Sequence, residues 1–169
     1  VSHPYRPKRR TRATIAKEKG LYGLADVIRQ QLTKKPLEEE AVAYLSEEKG
    51  VLTTADAIAG AGDILAEAIS DEADYRSYIR KAAFDEGQLL SEAKDEKAQT
   101  VYEMYYHYEE PVKKAAGHRI LALNRGEAEK VLTVRVEAPE ERILRYLEKK
   151  VIVRDNPHTT PVLKMVIAD

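Results

Sequence analysis

The sequence contains no cysteine. Disulfide frameworks, thiolate zinc sites and cysteine nucleophiles are therefore excluded together, and a reducing cytoplasm is permitted. No apolar run approaches the ~20 residues needed to cross a bilayer, and no secretory signal opens the chain, so no membrane contact is expected. The phosphate-binding P-loop, the dinucleotide glycine motif, the Gly-x-Ser-x-Gly elbow and the His-Glu-x-x-His zinc pattern are all missing. Gly60-Ala61-Gly62 is too short to cradle a phosphate and sits inside a helical pattern. No repeat of fixed period and no low-complexity stretch occurs. An excess of either charge is lacking too: 28 Lys plus Arg stand against 29 Asp plus Glu. Any attraction to nucleic acid must then come from local clustering of cations.

What is present is a globular composition, 43% hydrophobic and 34% charged over 169 residues. That suits helices with solvated, charge-rich faces and is enough chain for one domain or two small subdomains. The start at Val1-Ser2-His3-Pro4, followed by a basic run, leads us to expect a chain that begins inside a larger polypeptide. The end at Ala168-Asp169 carries no glycine cap, so the helical pattern there is expected to be cut short.

Pro4 and Pro7 disfavour helix, which predicts an extended arm over residues 1–12 with Tyr5 available to pin it. A helical turn over Thr14–Lys19 should stop at Gly20, after which Leu21, Leu24, Ala25, Ile28 and Leu32 form an apolar stripe. Pro36 and Glu38, Glu39 and Glu40 mark the start of a helix expected to run until Gly50. Thr53 or Thr54 can cap the next, whose Gly60 and Gly62 predict close packing by a neighbour. Asp74 can cap a helix ending at Gly87. Gln88–Ala93 and the β-branched Val131–Val136 are expected to pair as a two-stranded sheet. Between them, Ala98–Tyr106 reads as a helix ending near Pro111, and His118–Arg125 as a helix closed by Gly126. Glu140–Lys150 follows Pro139, and Thr160-Pro161 opens a last helix.

Before the first acidic residue, Glu18, the chain carries Arg6, Lys8, Arg9, Arg10, Arg12 and Lys17. Guanidinium forks on an extended arm can hold phosphate oxygens along a nucleic-acid backbone. Equally, they can pair with carboxylates of neighbouring helices and fix the arm as structure. Tyr102, Tyr105, Tyr106 and Tyr108 could stack on bases, but 102, 105 and 106 share one helical face, which favours a packed core. His107, Glu109, Glu110 and His118 match no metal-ligand spacing, so no metal is expected. Paired carboxylates such as Glu38–Glu40 and Glu140-Glu141 sit at helix starts, where the helix dipole accounts for them. No carboxylate constellation supports a nuclease remnant, and no catalytic residue is assigned.

The run Tyr5-Arg6-Pro7-Lys8-Arg9-Arg10-Thr11-Arg12-Ala13-Thr14-Ile15-Ala16 resembles the N-terminal region of the Tex family, bacterial relatives of a eukaryotic transcription elongation factor. The likeness continues through Ala55–Ala61, His118-Arg119-Ile120-Leu121-Ala122-Leu123-Asn124-Arg125-Gly126-Glu127 and Asp155–Leu163. This resemblance implies cytoplasmic proteins that bind nucleic acid and associate with transcription. It also implies RNase-H-like, helix-hairpin-helix and OB-fold RNA-binding domains, which are expected to lie outside these 169 residues. A nucleic-acid role carries over to the motifs around Arg9 and around Arg125, hence to Arg6, Lys8, Arg9, Arg10, Arg12, Arg119 and Arg125.

The expectation is a mainly α chain with a small two-stranded antiparallel sheet, divided into the arm at 1–12, a helical subdomain at 13–87 and a helical subdomain with the sheet at 88–169. It would be a non-enzymatic scaffold without cofactor, contacting RNA or DNA, the remaining domains of the full-length protein and RNA polymerase. The competing expectation is a protein-interaction module docking those domains or the polymerase, with no nucleic-acid contact.

Overall fold

The computed structural model describes residues 10–168. The described chain divides into two compact units: residues up to Tyr75 together with those from Leu144 on, and Arg76–Ile143. The boundary expected between residues 87 and 88 is thus not where the units divide. Contacts that return the C-terminal helix to the first unit are invisible to a linear reading of composition.

The first unit is built around one long helix. Helix α1 (Arg12–Glu18) starts where the Thr11 hydroxyl accepts the Thr14 amide, so Arg12 is helical and not extended, while residues 1–9 of the expected arm lie outside the described residues. Helices α2 (Tyr22–Gln30) and α3 (Leu37–Val42) follow, then α4 (Thr54–Asp71), whose start is capped by the Thr53 hydroxyl accepting the Asp56 amide. The last helix of the chain, α8 (Thr160–Ala168), packs on α4, as do α1, α2 and α3. Leu21, Leu24, Ile28, Ala57, Ala61, Leu65 and Leu163 form the core. Gly60 earns its place by close approach: a Cβ there would lie 2.4 Å from Leu21 Cδ1.

Two expectations in this unit are corrected. Leu32 is not on the α2 stripe but 60% exposed, because Gln31 adopts the left-handed conformation and turns the chain away. The helix expected from Pro36 to Gly50 stops at Val42. Ser46 and Val51 then exchange backbone hydrogen bonds of 2.9 and 2.8 Å around a tight turn, and Val51 returns to the core.

Helix α5 (Ala73–Glu86) and helix α7 (Glu140–Val151) each cross the division between units. The second unit holds strands β1 (Gln88–Ala93), β2 (His107–Pro111) and β3 (Leu132–Glu137) and helix α6 (Gly117–Ala128). The sheet order is β2-β1-β3, antiparallel throughout, with Ser91 opposite both Tyr108 and Val134. The expected β1–β3 pair exists, but the sheet has three strands, not two. The helix expected over 98–106 is replaced by turns and a single 3-10 turn at Glu103–Tyr105 that feeds β2. The sequence of β2, HYEEP, is polar and ends in proline, which only an edge strand tolerates, so it carries little strand signal of its own. Gly126 lies inside α6 instead of closing it. Leu132 Cδ1 stands 2.5 Å from where its Cβ would be, so the glycine serves helix-to-sheet packing.

Candidate nucleic-acid interface

Of the cations singled out in the sequence, Arg6, Lys8 and Arg9 lie outside the described residues. Arg10 pairs with Glu18 at 2.9 Å, and Arg12 approaches Asp63 of α4 at 3.9 Å. Lys17 binds Glu67 at 3.0 Å, and this hydrogen bond, with the attraction between the charges, holds the Lys17 pKa above its ordinary value. Helix α1 is thereby tied to α4 at both its ends, through Asp63 and Glu67.

Arg119, on α6, forms a two-pronged pair with Glu110 of β2, its Nε and one terminal nitrogen each 3.0 Å from a carboxylate oxygen. It also donates to the Lys114 carbonyl at 3.2 Å. Hydrogen bonds from Arg119 and then Tyr108 hold the Glu110 pKa below the usual carboxylate range, while burial first, and Glu110 second, push Tyr108 up to about 12. Such a bidentate fork leaves little of the guanidinium for phosphate. Arg125, on the same helix, is exposed and makes no ion pair among the described residues. The structure therefore separates the two arginines of one motif into a bound and a free one.

The tyrosines are packed. Tyr102, Tyr105 and Tyr106 are buried against Leu89, Leu123 and Leu132, and Tyr108 meets Tyr105 edge to face with ring centres 5.1 Å apart. The Tyr106 hydroxyl donates to the Ala98 carbonyl at 2.7 Å, and that of Tyr102 donates to Glu129. None of these three rings offers a free face. His107 contacts Glu96 at 2.7 Å, and among the described residues no three His, Asp or Glu side chains gather as a metal site.

A cationic surface that the sequence reading missed lies at the C-terminal end of α7 and the segment leading into α8. Arg145, Lys149, Arg154 and Lys164 line an open groove of about 590 Å³ whose wall includes Ile152 and Val153. All four cations are exposed, and among the described residues none has an ion-pair partner. Glu148 and Asp155 also line it, leaving the four cations an excess of two positive charges over these carboxylates. The segment carrying Arg154 is fixed from behind. The Gln31 amide donates to the Val151 carbonyl at 2.8 Å and its oxygen accepts the Val153 amide at 3.0 Å. Asn156, buried, donates to the carbonyls of Gln31 and Thr33 and accepts the amides of His158 and Thr159. This pins the loop on both sides of Arg154. The signal available in sequence was the amphipathic pattern of Glu140–Val151, whose polar face is rich in Arg and Lys.

Residues 32–158 match the family model described as Tex central region-like. The chain belongs to the Tex family. Over 98% of its length it is 46% identical to an uncharacterized protein of Bacillus subtilis named YdcI. The protein tex of Bordetella pertussis is 39% identical over 79% of the chain, and the transcriptional accessory protein Tex of Neisseria gonorrhoeae 36% over 78%. The chain spans 24%, 17% and 17% of the lengths of these relatives. Arg145, Lys149 and Arg154 fall within the span matched to the Tex family model, whereas Lys164 and the basic N-terminal run lie outside it.

Proposed function

We propose that this chain is a helical scaffold segment of a transcription accessory protein that contacts RNA or DNA without catalysing a reaction. It acts in the cytoplasm, held to the remaining domains of the full-length protein and through them to RNA polymerase. The observation that carries the nucleic-acid part is the groove lined by Arg145, Lys149, Arg154 and Lys164, none of them ion-paired among the described residues. Unpaired cations keep their full attraction for phosphate, whereas Arg10, Arg12 and Arg119 already face carboxylates. The name of the Neisseria gonorrhoeae relative supplies the transcription context.

The test is fluorescence anisotropy of the chain with single-stranded RNA and duplex DNA over a salt series. Binding should weaken with salt. Changing the four groove cations to glutamine should reduce the slope of log affinity against log salt by about 3. An unchanged slope would remove the groove from the interface. A slope reduced instead by changing Lys8, Arg9, Arg10 and Arg12 to glutamine would place the contact on the N-terminal run.

A second reading, docking of a protein partner, is favoured by α6. Its outer face leaves Ile120 41% and Leu121 69% exposed beside Arg125. Loss of polymerase or domain binding in Leu121→Asp, with nucleic-acid affinity unchanged, is the outcome that reading requires.

A further inference from the structure

A second cationic surface, assigned to nothing above, runs along α5. At 100° per residue, Arg76, Arg80 and Phe84 recur one turn apart, ~6 Å each along the axis, on the face opposite the buried Ala82. Arg76 and Arg80 are exposed and make no hydrogen bond or ion pair among the described residues. Phe84, the one phenylalanine of the sequence, is 56% exposed. Ser77 shares this arc, and Lys81 stands at its edge. The carboxylates nearest the helix end are already held: Asp85 by Lys81 at 2.9 Å and Glu86 by Arg142 at 3.3 Å. Lys81 first, then Arg142 and Lys113, keep Asp85 below its ordinary pKa.

We propose that the Arg76–Arg80–Phe84 ridge of α5 is a contact surface for single-stranded nucleic acid, the two guanidinium groups holding successive phosphates and the Phe84 ring stacking on a base. This rests on the reading of the chain as a nucleic-acid-contacting scaffold and adds to it a preference for single strands. An aromatic ring set among unpaired arginines matches a ligand that alternates anionic and flat apolar surfaces, as a single strand does. A duplex keeps its bases stacked on each other and offers Phe84 no face. A hydrophobic protein partner would leave the two arginines desolvated beside the ring with no counter-charge.

The experiment compares the 169-residue chain with Phe84→Ala, Phe84→Trp and the double variant Arg76→Gln/Arg80→Gln, by anisotropy against labelled single-stranded RNA, the same sequence as single-stranded DNA, and a matched duplex. Phe84→Ala should weaken single-strand binding about five- to a hundredfold and leave duplex binding unchanged. Phe84→Trp should restore it, and the double arginine variant should lower the single-strand salt slope by about 1.4. An RNA affinity above that for DNA would assign the ligand to RNA, and equal affinities to single strands of either kind. Phe84→Ala binding both strands and duplex as well as the unmodified chain overturns the ridge. If the groove variant at Arg145, Lys149, Arg154 and Lys164 meanwhile loses binding, the scaffold reading stands without it. No binding by the unmodified chain at low salt overturns both. Because Phe84 and the two arginines are exposed, far-UV circular dichroism of every variant should match the unmodified chain.

Discussion

The side-chain amide of Asn156 donates to the backbone carbonyls of Gln31, at 3.2 Å, and Thr33, at 3.0 Å, joining segments 125 and 123 residues apart. Asn156 is 8% exposed, so its removal leaves buried carbonyls without a donor. Asn156→Ala should cost about 3 kcal/mol, read as a lower urea midpoint with an unchanged denaturant slope. Asn156→Asp should be worse, since a carboxylate would face the same two carbonyls. A shift no larger than that of an exposed alanine substitution would mean the clamp is not needed to hold the loop carrying Arg154.

The two glycines of α6 should respond oppositely. At Gly126 a methyl group would meet Leu132 Cδ1 at 2.5 Å and Tyr102 Cδ1 at 3.2 Å, so Gly126→Ala should destabilise by about 1–3 kcal/mol through overpacking. Nothing lies within 4 Å of the same position at Gly117, and Gly117→Ala should be neutral or stabilise by up to about 1 kcal/mol. Thermal unfolding followed by circular dichroism ranks the two.

Thr159 is fully buried, and its hydroxyl has no hydrogen-bond partner among the described residues. Replacing it with valine removes a desolvated polar atom at little change in shape. Thr159→Val should therefore stabilise the chain by about 1 kcal/mol. A destabilised variant would show that the hydroxyl is satisfied by bound water.

The Tyr108–Glu110–Arg119 group predicts opposite behaviour at the two ends of the pH scale. Tyr108 is raised from 10.0 to about 12, so its contribution to stability is complete below pH 10 and is lost as pH rises through about 12. Glu110 is lowered from 4.5 by Arg119, so its contribution is present above pH 4.5 and is lost as pH falls through its folded value. Ultraviolet titration should show Tyr108 ionising late, joined by Tyr75 and Tyr102, whose pKa values are also raised. In Arg119→Gln the acid limb of the stability profile should flatten while the unfolding slope is unchanged.

Much of the fold was legible because the signals are local. The Thr53 cap, the proline before α7, the Gly20 stop and the β-branched run of β3 each act on residues within a turn or two, and each marks its element. The close approach at Gly60 was readable for the same reason: a small residue in a helix leaves room for a neighbour whatever that neighbour is. The buried tyrosines at 102, 105 and 106 were legible as core, although the helix inferred from their spacing is absent.

Sequence by itself determined most of the helical elements, though not the early end of α3 or the turns over 98–106, together with the pairing of β1 with β3 and the membership of the family, since capping, periodicity and motif are properties of neighbouring residues. Only the tertiary structure decided which cations are free. Arg119 and Arg125 belong to one helix and differ because β2 presents Glu110 to the first. The third strand itself arises from pairing with β1, which lends a polar edge segment an order its own residues do not encode. The groove at Arg145, Lys149, Arg154 and Lys164 likewise depends on Gln31 and Asn156 bridging distant parts of the chain. Such long-range hydrogen bonds leave no periodic trace in a linear pattern.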